Sequence, residues 1–194
     1  MFYKLLIIFL FNFMIVLSKS DIETKIILIV LAQEGGSTFK SERELSKYGI
    51  RENTLNEYNN KYNTNYQIET LTKNQAIEIS AELVKKYRIN EIKDNYLKLI
   101  IFDTIFNTGY FSGSSILQKS LNKYYGTTVK VDGIMGSKTI NLLNKVENPE
   151  RFSQIFLKER LTYYKKLKEW EVYKNGWIMR VDNLKNNKLS KKIR

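Results

Sequence analysis

Glu34 closes an apolar segment and is followed at once by Gly35 and Gly36. It comes after Ile27, Val30 and Leu31 at spacings of seven, four and three residues, so on a helix it shares their face. Two effects there favour a neutral carboxyl and raise its pKa: desolvation by those neighbours, and the carbonyl end of the helix dipole. A carboxyl group still protonated near neutral pH can act as a general acid, giving its proton to a departing oxygen such as that of a glycosidic bond. The two glycines add no side-chain bulk, so a ligand can approach the backbone beside the acid. The same residues also read as an ordinary helix-ending glutamate with a glycine cap, and physics alone puts that reading first.

The composition narrows the alternatives. The chain contains no histidine and no cysteine, which excludes Ser-His-Asp chemistry, histidine-ligated zinc, thiolate metal sites and disulfides. Hydrolysis would rest on carboxylates, or on lysine, tyrosine or hydroxyl groups, and neither a metal nor a cofactor is expected. Two-carboxylate glycoside hydrolysis needs a partner for Glu34. Glu42 and Glu44 are nearest in sequence, where they also read as solvated loop charges. Asp103 lies in a strongly apolar run and reads more readily as a buried acid paired with a backbone group or a cation. Asp132 reads as shaping its own turn. Thirteen tyrosines suit the packing of sugar rings on aromatic faces, yet Phe152, Phe156 and Tyr164 sit at helical spacing and read as core. Trp170 and Trp177 read as packing. Gly136-Ser137-Lys138-Thr139 lacks the spacing of a phosphate-binding loop.

The net charge is +12 over 194 residues. A surface of that sign attracts polyanions, whether nucleic acid, acidic lipid or an anionic cell wall. Met1–Ser20 decides among them: Lys4 precedes a run from Leu5 to Leu17 that is apolar except for Asn12, and Ser18-Lys19-Ser20 offers a small-x-small cleavage site. This reads as a signal peptide, with an uncleaved membrane anchor as the alternative. The expected protein is therefore exported to the periplasm or the extracellular space, a monomer without nucleic-acid partners, touching membrane transiently through that segment.

The elements that must hold Glu34 read as mainly α. Hydrophobic residues make up 43% of the chain, while one proline and nine glycines leave little room for the turns of a sandwich or barrel. A helix is expected from Asp21 to about Gln33. Residues 37–66 read as loop with short helices or a small hairpin around Tyr48-Gly49-Ile50. Thr72-Lys73-Asn74-Gln75 fits a capping box opening the next helix. Tyr96–Asn107 reads as the most buried helix, followed by helices over Ser114–Tyr125 and from Ser137 to about Val146. A long helix restarts at Asn148-Pro149 and runs to about Leu167, and the basic end from Lys185 reads as frayed.

Several of these segments, taken in order, resemble one known family. Glu34-Gly35-Gly36 followed by Tyr48-Gly49-Ile50 resembles the start of the glycoside hydrolase family 108 muramidases. Phe102-Asp103 through Asn107-Thr108-Gly109 is similar to that family's F-D-x-x-x-N-x-G. Leu117-Gln118, Val131-Asp132-Gly133-Ile134-Met135-Gly136 and Thr139 resemble the segment that follows it as a peptidoglycan-binding domain. Arg160, Tyr163, Asn175-Gly176-Trp177 and Arg180 resemble the closing helix and tail. The resemblance implies a compact lysozyme-like helical fold, peptidoglycan as substrate, cleavage between N-acetylmuramic acid and N-acetylglucosamine, and Glu34 as the acid. It places Gly35, Ser46, Tyr48 and Asn107 against the substrate. It further implies a catalytic segment over 21–95, a helical peptidoglycan-binding-like segment over 96–184 in the same domain, and a basic tail over 185–194. One stretch departs: the family carries an aspartate-proline-diglycine stretch and a threonine before its Tyr-Gly-Ile, whereas here Thr38–Leu45 is shorter, with Ser46 at the threonine position. The second carboxylate is thereby left open. A lone Glu34 acting as acid and then base, as in lytic transglycosylases, and an inactive wall-binding protein of the same fold are the alternatives.

Overall fold

A computed structural model describes residues 22–36, 38–40, 45–126 and 129–185, so the signal-like segment, Asp21, Glu42, Glu44 and most of the basic tail lie outside the described residues. The class is mainly α, as expected. Helix α1 (residues 22–34) leads into a small antiparallel sheet of β1 (Thr38–Lys40), β2 (Leu45–Lys47) and β3 (Ile50–Arg51), in that spatial order. There follow α2 (Glu52–Tyr62), α3 (Lys73–Lys86), a 3-10 turn (Ile89–Glu91), α4 (Asn95–Thr108), α5 (Tyr110–Tyr125), α6 (Ser137–Leu143), α7 (Pro149–Tyr164) and α8 (Trp170–Lys185).

The core is built around α4. Every residue from Leu97 to Ile105 is buried, so over that stretch the helix has no solvent face, as its apolar run predicts. Asp94 caps its start by accepting from the Leu97 N–H at 2.8 Å. Helices α5 and α7 pack against it, α5 against α7, and α8 against α7. Helix α1 adds Ile26, Ile27, Val30 and Leu31, each at most 2% exposed. Burying such aliphatic side chains contributes roughly 1.5–3 kcal/mol each, so α1 is anchored firmly up to the turn that carries Glu34.

The expected capping box at Thr72 is present: the Thr72 hydroxyl accepts from the Gln75 N–H, and the Gln75 side chain accepts from the Thr72 N–H. The expected hairpin is present too. Lys47 pairs with Ile50, leaving a two-residue loop of Tyr48 and Gly49 whose φ angles are +54° and +72°. Two positive φ values in a two-residue loop are the type I′ pattern, whose twist suits a hairpin.

Other boundaries differ from expectation. Helix α5 starts at Tyr110 rather than Ser114, because Gly113 is no breaker here: a Cβ at that position would stand 2.6 Å from Ile105 Cγ1, so the glycine lets α5 cross α4 closely. Helix α7 stops at Tyr164, short of Leu167, and a separate α8 follows. That helix contains Gly176 and buries only Arg180, Val181 and Leu184, too sparse an apolar stripe to announce itself. Helix α6 ends at Leu143 rather than near Val146, and α2 is a single 11-residue helix within the stretch read as mostly loop.

Candidate active site

Glu34 is the last residue of α1, its side chain 18% exposed. The β2–β3 turn is pressed onto it. A Cβ on Gly49 would lie 2.8 Å from Glu34 Cγ and 2.5 Å from Phe106 Cε1, so only glycine fits between the carboxyl stem and the α4 aromatic. The Tyr48 ring lies over the backbone of Gly36, where an added Cβ would be 3.2 Å from Tyr48 Cε1. Gly35 is exposed at φ +71° with open space around it. The structure thus brings Glu34, Gly35, Gly36, Tyr48 and Gly49 together. Ser46 is the middle residue of β2, paired with Phe39 on one side and Arg51 on the other, two residues ahead of that turn.

On its inner side Glu34 meets a charge that its own stretch of sequence does not supply. Arg180 Nη1 of α8 stands 2.6 Å from Glu34 Oε1, an ion pair without the alignment of a hydrogen bond. The remaining nitrogens of that guanidinium belong to Asp103: Nη2 donates to Oδ2 at 2.7 Å, and Nε reaches both carboxylate oxygens at 3.0 and 3.1 Å. Asp103 is wholly buried. It also accepts from Arg160 Nη1 at 2.6 Å and from Gln33 Nε2 at 2.8 Å. The reading of Asp103 as a buried acid paired with a cation describes what is seen.

From Asp103 the network continues through α7 and returns to α4. Arg160 Nε donates to the Tyr164 hydroxyl at 2.8 Å, and that hydroxyl donates to Asn107 Oδ1 at 2.6 Å. Trp177 of α8 stacks on Tyr164 with centroids 4.7 Å apart and planes within 8° of parallel, so this tryptophan packs as expected. Asn107 therefore joins a structural network whichever way its amide is used.

The electrostatics follow from these contacts. Burial alone pushes the Asp103 carboxyl up, but Arg180 and Arg160 outweigh it and hold the group below its usual value. For Arg180 burial pulls down, while Asp103 and then Glu34 more than compensate and leave it raised. Two guanidinium groups face two carboxylates, so the cluster balances in charge. On the Glu34 side the same guanidinium supplies a cation at 2.6 Å.

Arg160 and Arg180 went unassigned in the sequence, although both lie in its matched motifs. A signal existed. Arg160 follows Phe156 and precedes Tyr164 by four residues each, so it occupies the buried stripe of α7, where a lone arginine needs an acid. The second half of the chain holds a separate knot. Gln118, 1% exposed, donates to Asp132 Oδ1 at 2.7 Å and to the Ile134 carbonyl at 3.0 Å, and accepts from the Gly133 N–H at 2.9 Å. Asp132 Oδ1 also accepts from the Ile134 N–H at 3.0 Å. Asp132 shapes its turn, as expected. Among the described residues no cluster of acidic side chains could hold a metal ion.

Comparison with known proteins fits this arrangement. Residues 27–109 match the family described as Glycosyl hydrolase 108, and residues 112–182 match the one described as Predicted Peptidoglycan domain. The solved structure of Brucella abortus SagA superimposes with a TM-score of 0.70 at 22% sequence identity, covering 87% of this chain and 94% of that one. The fold is the lysozyme-like one expected. No curated protein matches. With the two matches adjoining, one carrying Glu34 and the other Arg160 and Arg180, residues 27–109 are similar to the Glycosyl hydrolase 108 family and the protein is a glycoside hydrolase that acts on peptidoglycan.

Proposed function

We propose that this protein is an exported N-acetylmuramidase, with Glu34 as the acid that protonates the oxygen bridging N-acetylmuramic acid and N-acetylglucosamine. One observation carries the reading: Glu34, part-exposed at the end of α1 within the hydrolase match, is clamped between Gly49 of the β2–β3 turn and Arg180. The step moves the carboxyl proton to the bridging oxygen as the C1–O electron pair goes to that oxygen. Water then adds to C1 and returns a proton to Glu34, which restores the acid. Tyr48 and Gly35 border the sugar, with Ser46 and Asn107 as further contacts. The catalytic segment and the helical segment after it work as one packed body. The +12 charge draws the protein to an anionic wall, and the Met1–Ser20 segment exports it.

A second reading has its own support. Asp103, the one candidate second carboxylate among the described residues, is fully buried and taken up by two arginines. A lone Glu34 would then act as acid and base on the sugar itself, as in a lytic transglycosylase.

Digestion of purified peptidoglycan, with fragments analysed by mass spectrometry, tests both. Reducing N-acetylmuramic acid ends mean hydrolysis, and 1,6-anhydro ends mean transglycosylation. Glu34→Gln should abolish either product. Cutting by that variant at the wild-type rate would sink the assignment of Glu34, and intact glycan with retained sacculus binding would leave only a wall-binding protein.

A further inference from the structure

The Arg180 guanidinium has three nitrogens, and every one of them is committed. Nε and Nη2 grip Asp103, while Nη1 stands 2.6 Å from Glu34 Oε1. Its side chain is 10% exposed, and Asp103 is itself anchored by Arg160 and Gln33. A planar fork held on two prongs fixes where its third prong lies. Arg180 therefore transmits the position of a rigid, buried residue in α4 to the carboxyl at the end of α1. Glu34 Oε1 is buried beneath it, so proton exchange with a bound sugar falls to Oε2.

The charge count points the same way. With Glu34 protonated, the cluster holds Arg160, Arg180 and Asp103 and carries one net positive charge. Once Glu34 has lost its proton, the four groups balance. The surroundings are thus complementary to the state that forms as the proton leaves, which is the interaction that accelerates a step rather than merely tightening binding.

We propose that Arg180, supplied by the last described helix, is the positioning residue of this active site, holding Glu34 in place through Asp103 and stabilising the carboxylate left when its proton passes to the leaving oxygen. This rests on the reading of Glu34 as the acid. In the step, the Glu34 Oε2–H bond breaks as an O–H bond forms at the bridging oxygen, whose C1–O electron pair goes to that oxygen. Arg180 exchanges no proton. The peptidoglycan-domain match therefore completes the catalytic centre of the segment before it. The charged and titratable groups around Glu34 among the described residues are Arg180 of α8, with Asp103 of α4 and Arg160 of α7 behind it, and Tyr48 of the hairpin.

The test measures kcat and KM on soluble peptidoglycan fragments across pH for the full chain and for Arg180→Gln, Arg180→Lys and Glu34→Gln. Arg180→Gln should lower kcat roughly 100-fold with KM within about twofold. It should also move the high-pH limb of the profile upward, because a cation beside the acid is lost. Arg180→Lys keeps the charge but cannot span both carboxylates, so it should recover about a tenfold share of that loss and the wild-type limb. Wild-type kcat and limb in Arg180→Gln, or a loss in KM alone, would overturn the proposal. So would a kcat loss with an unmoved limb and no rescue by lysine. If the glutamine variant does not fold, Arg180→Lys decides: kcat down about tenfold at unchanged KM supports the role, and wild-type kcat overturns it. An active Glu34→Gln would instead sink the acid assignment beneath it, whereas a dead Glu34→Gln beside an unaffected Arg180→Gln sinks only the role of Arg180.

Discussion

Glu34 and Asp103 share one guanidinium and live in opposite surroundings. Asp103 is wholly buried, gripped by two arginines and a glutamine from three different helices. Glu34 sits at a helix end with one cation on its inner side and part of its surface open. A carboxylate with every lone pair occupied is an anchor. One with a free oxygen can exchange a proton. Buried ion pairs seldom stabilise more than a well-packed apolar substitute would, so the Asp103 cluster is better understood as fixing geometry than as adding net stability. The two acids divide the work between holding and reacting.

That division can be broken from either end. The largest expected effect is on activity: Glu34→Gln should cost about 10²–10⁴-fold in glycan cleavage, while its thermal midpoint stays near wild type. The reverse pattern is expected at the other acid. Asp103→Ala strands two buried arginines and should cost roughly 3–5 kcal/mol of stability in urea unfolding, with activity falling only as a consequence. A wild-type unfolding midpoint would show that the cluster is not an anchor.

The same acid gives a pH signature. Its folded value lies below the unfolded one, so its contribution is fully present above about pH 4 and is lost as pH falls through the folded value. Unfolding measured at descending pH should show this loss, and Asp103→Asn should flatten that part of the curve. A smaller effect should sit beside Glu34. Gly49→Ala sets a methyl against Glu34 and Phe106 at φ +72°, which should cost about 1–3 kcal/mol and impair activity as well. The smallest marks the distance from the site: Thr72→Ala removes the α3 cap for about 1 kcal/mol and should leave kcat alone.

Much of this was legible in the chain. The nine-residue buried run of α4 follows from a strongly apolar sequence interrupted by Lys98, Asp103 and Thr104. The Thr72 box follows from a four-residue signature, and the hairpin from Tyr48-Gly49. These are local interactions, made between residues a few positions apart. The limits of α5, α7 and α8 were not legible, because they depend on how closely helices cross and on stripes too weak to stand out. Glu42 and Glu44 lie outside the described residues.

Glu34 itself shows where local information stops. Its helix-end placement, apolar face and following glycines are properties of a few neighbouring residues, and the sequence alone determined them. It also determined that the chemistry would lack histidine and cysteine, and that Arg160 stands in the apolar stripe of a helix. Only the tertiary structure decided that Arg180 meets both Glu34 and Asp103, across 146 and 77 positions of chain. The reason is physical: a buried charge must find its opposite in space, and helix packing, not spacing along the chain, selects which one.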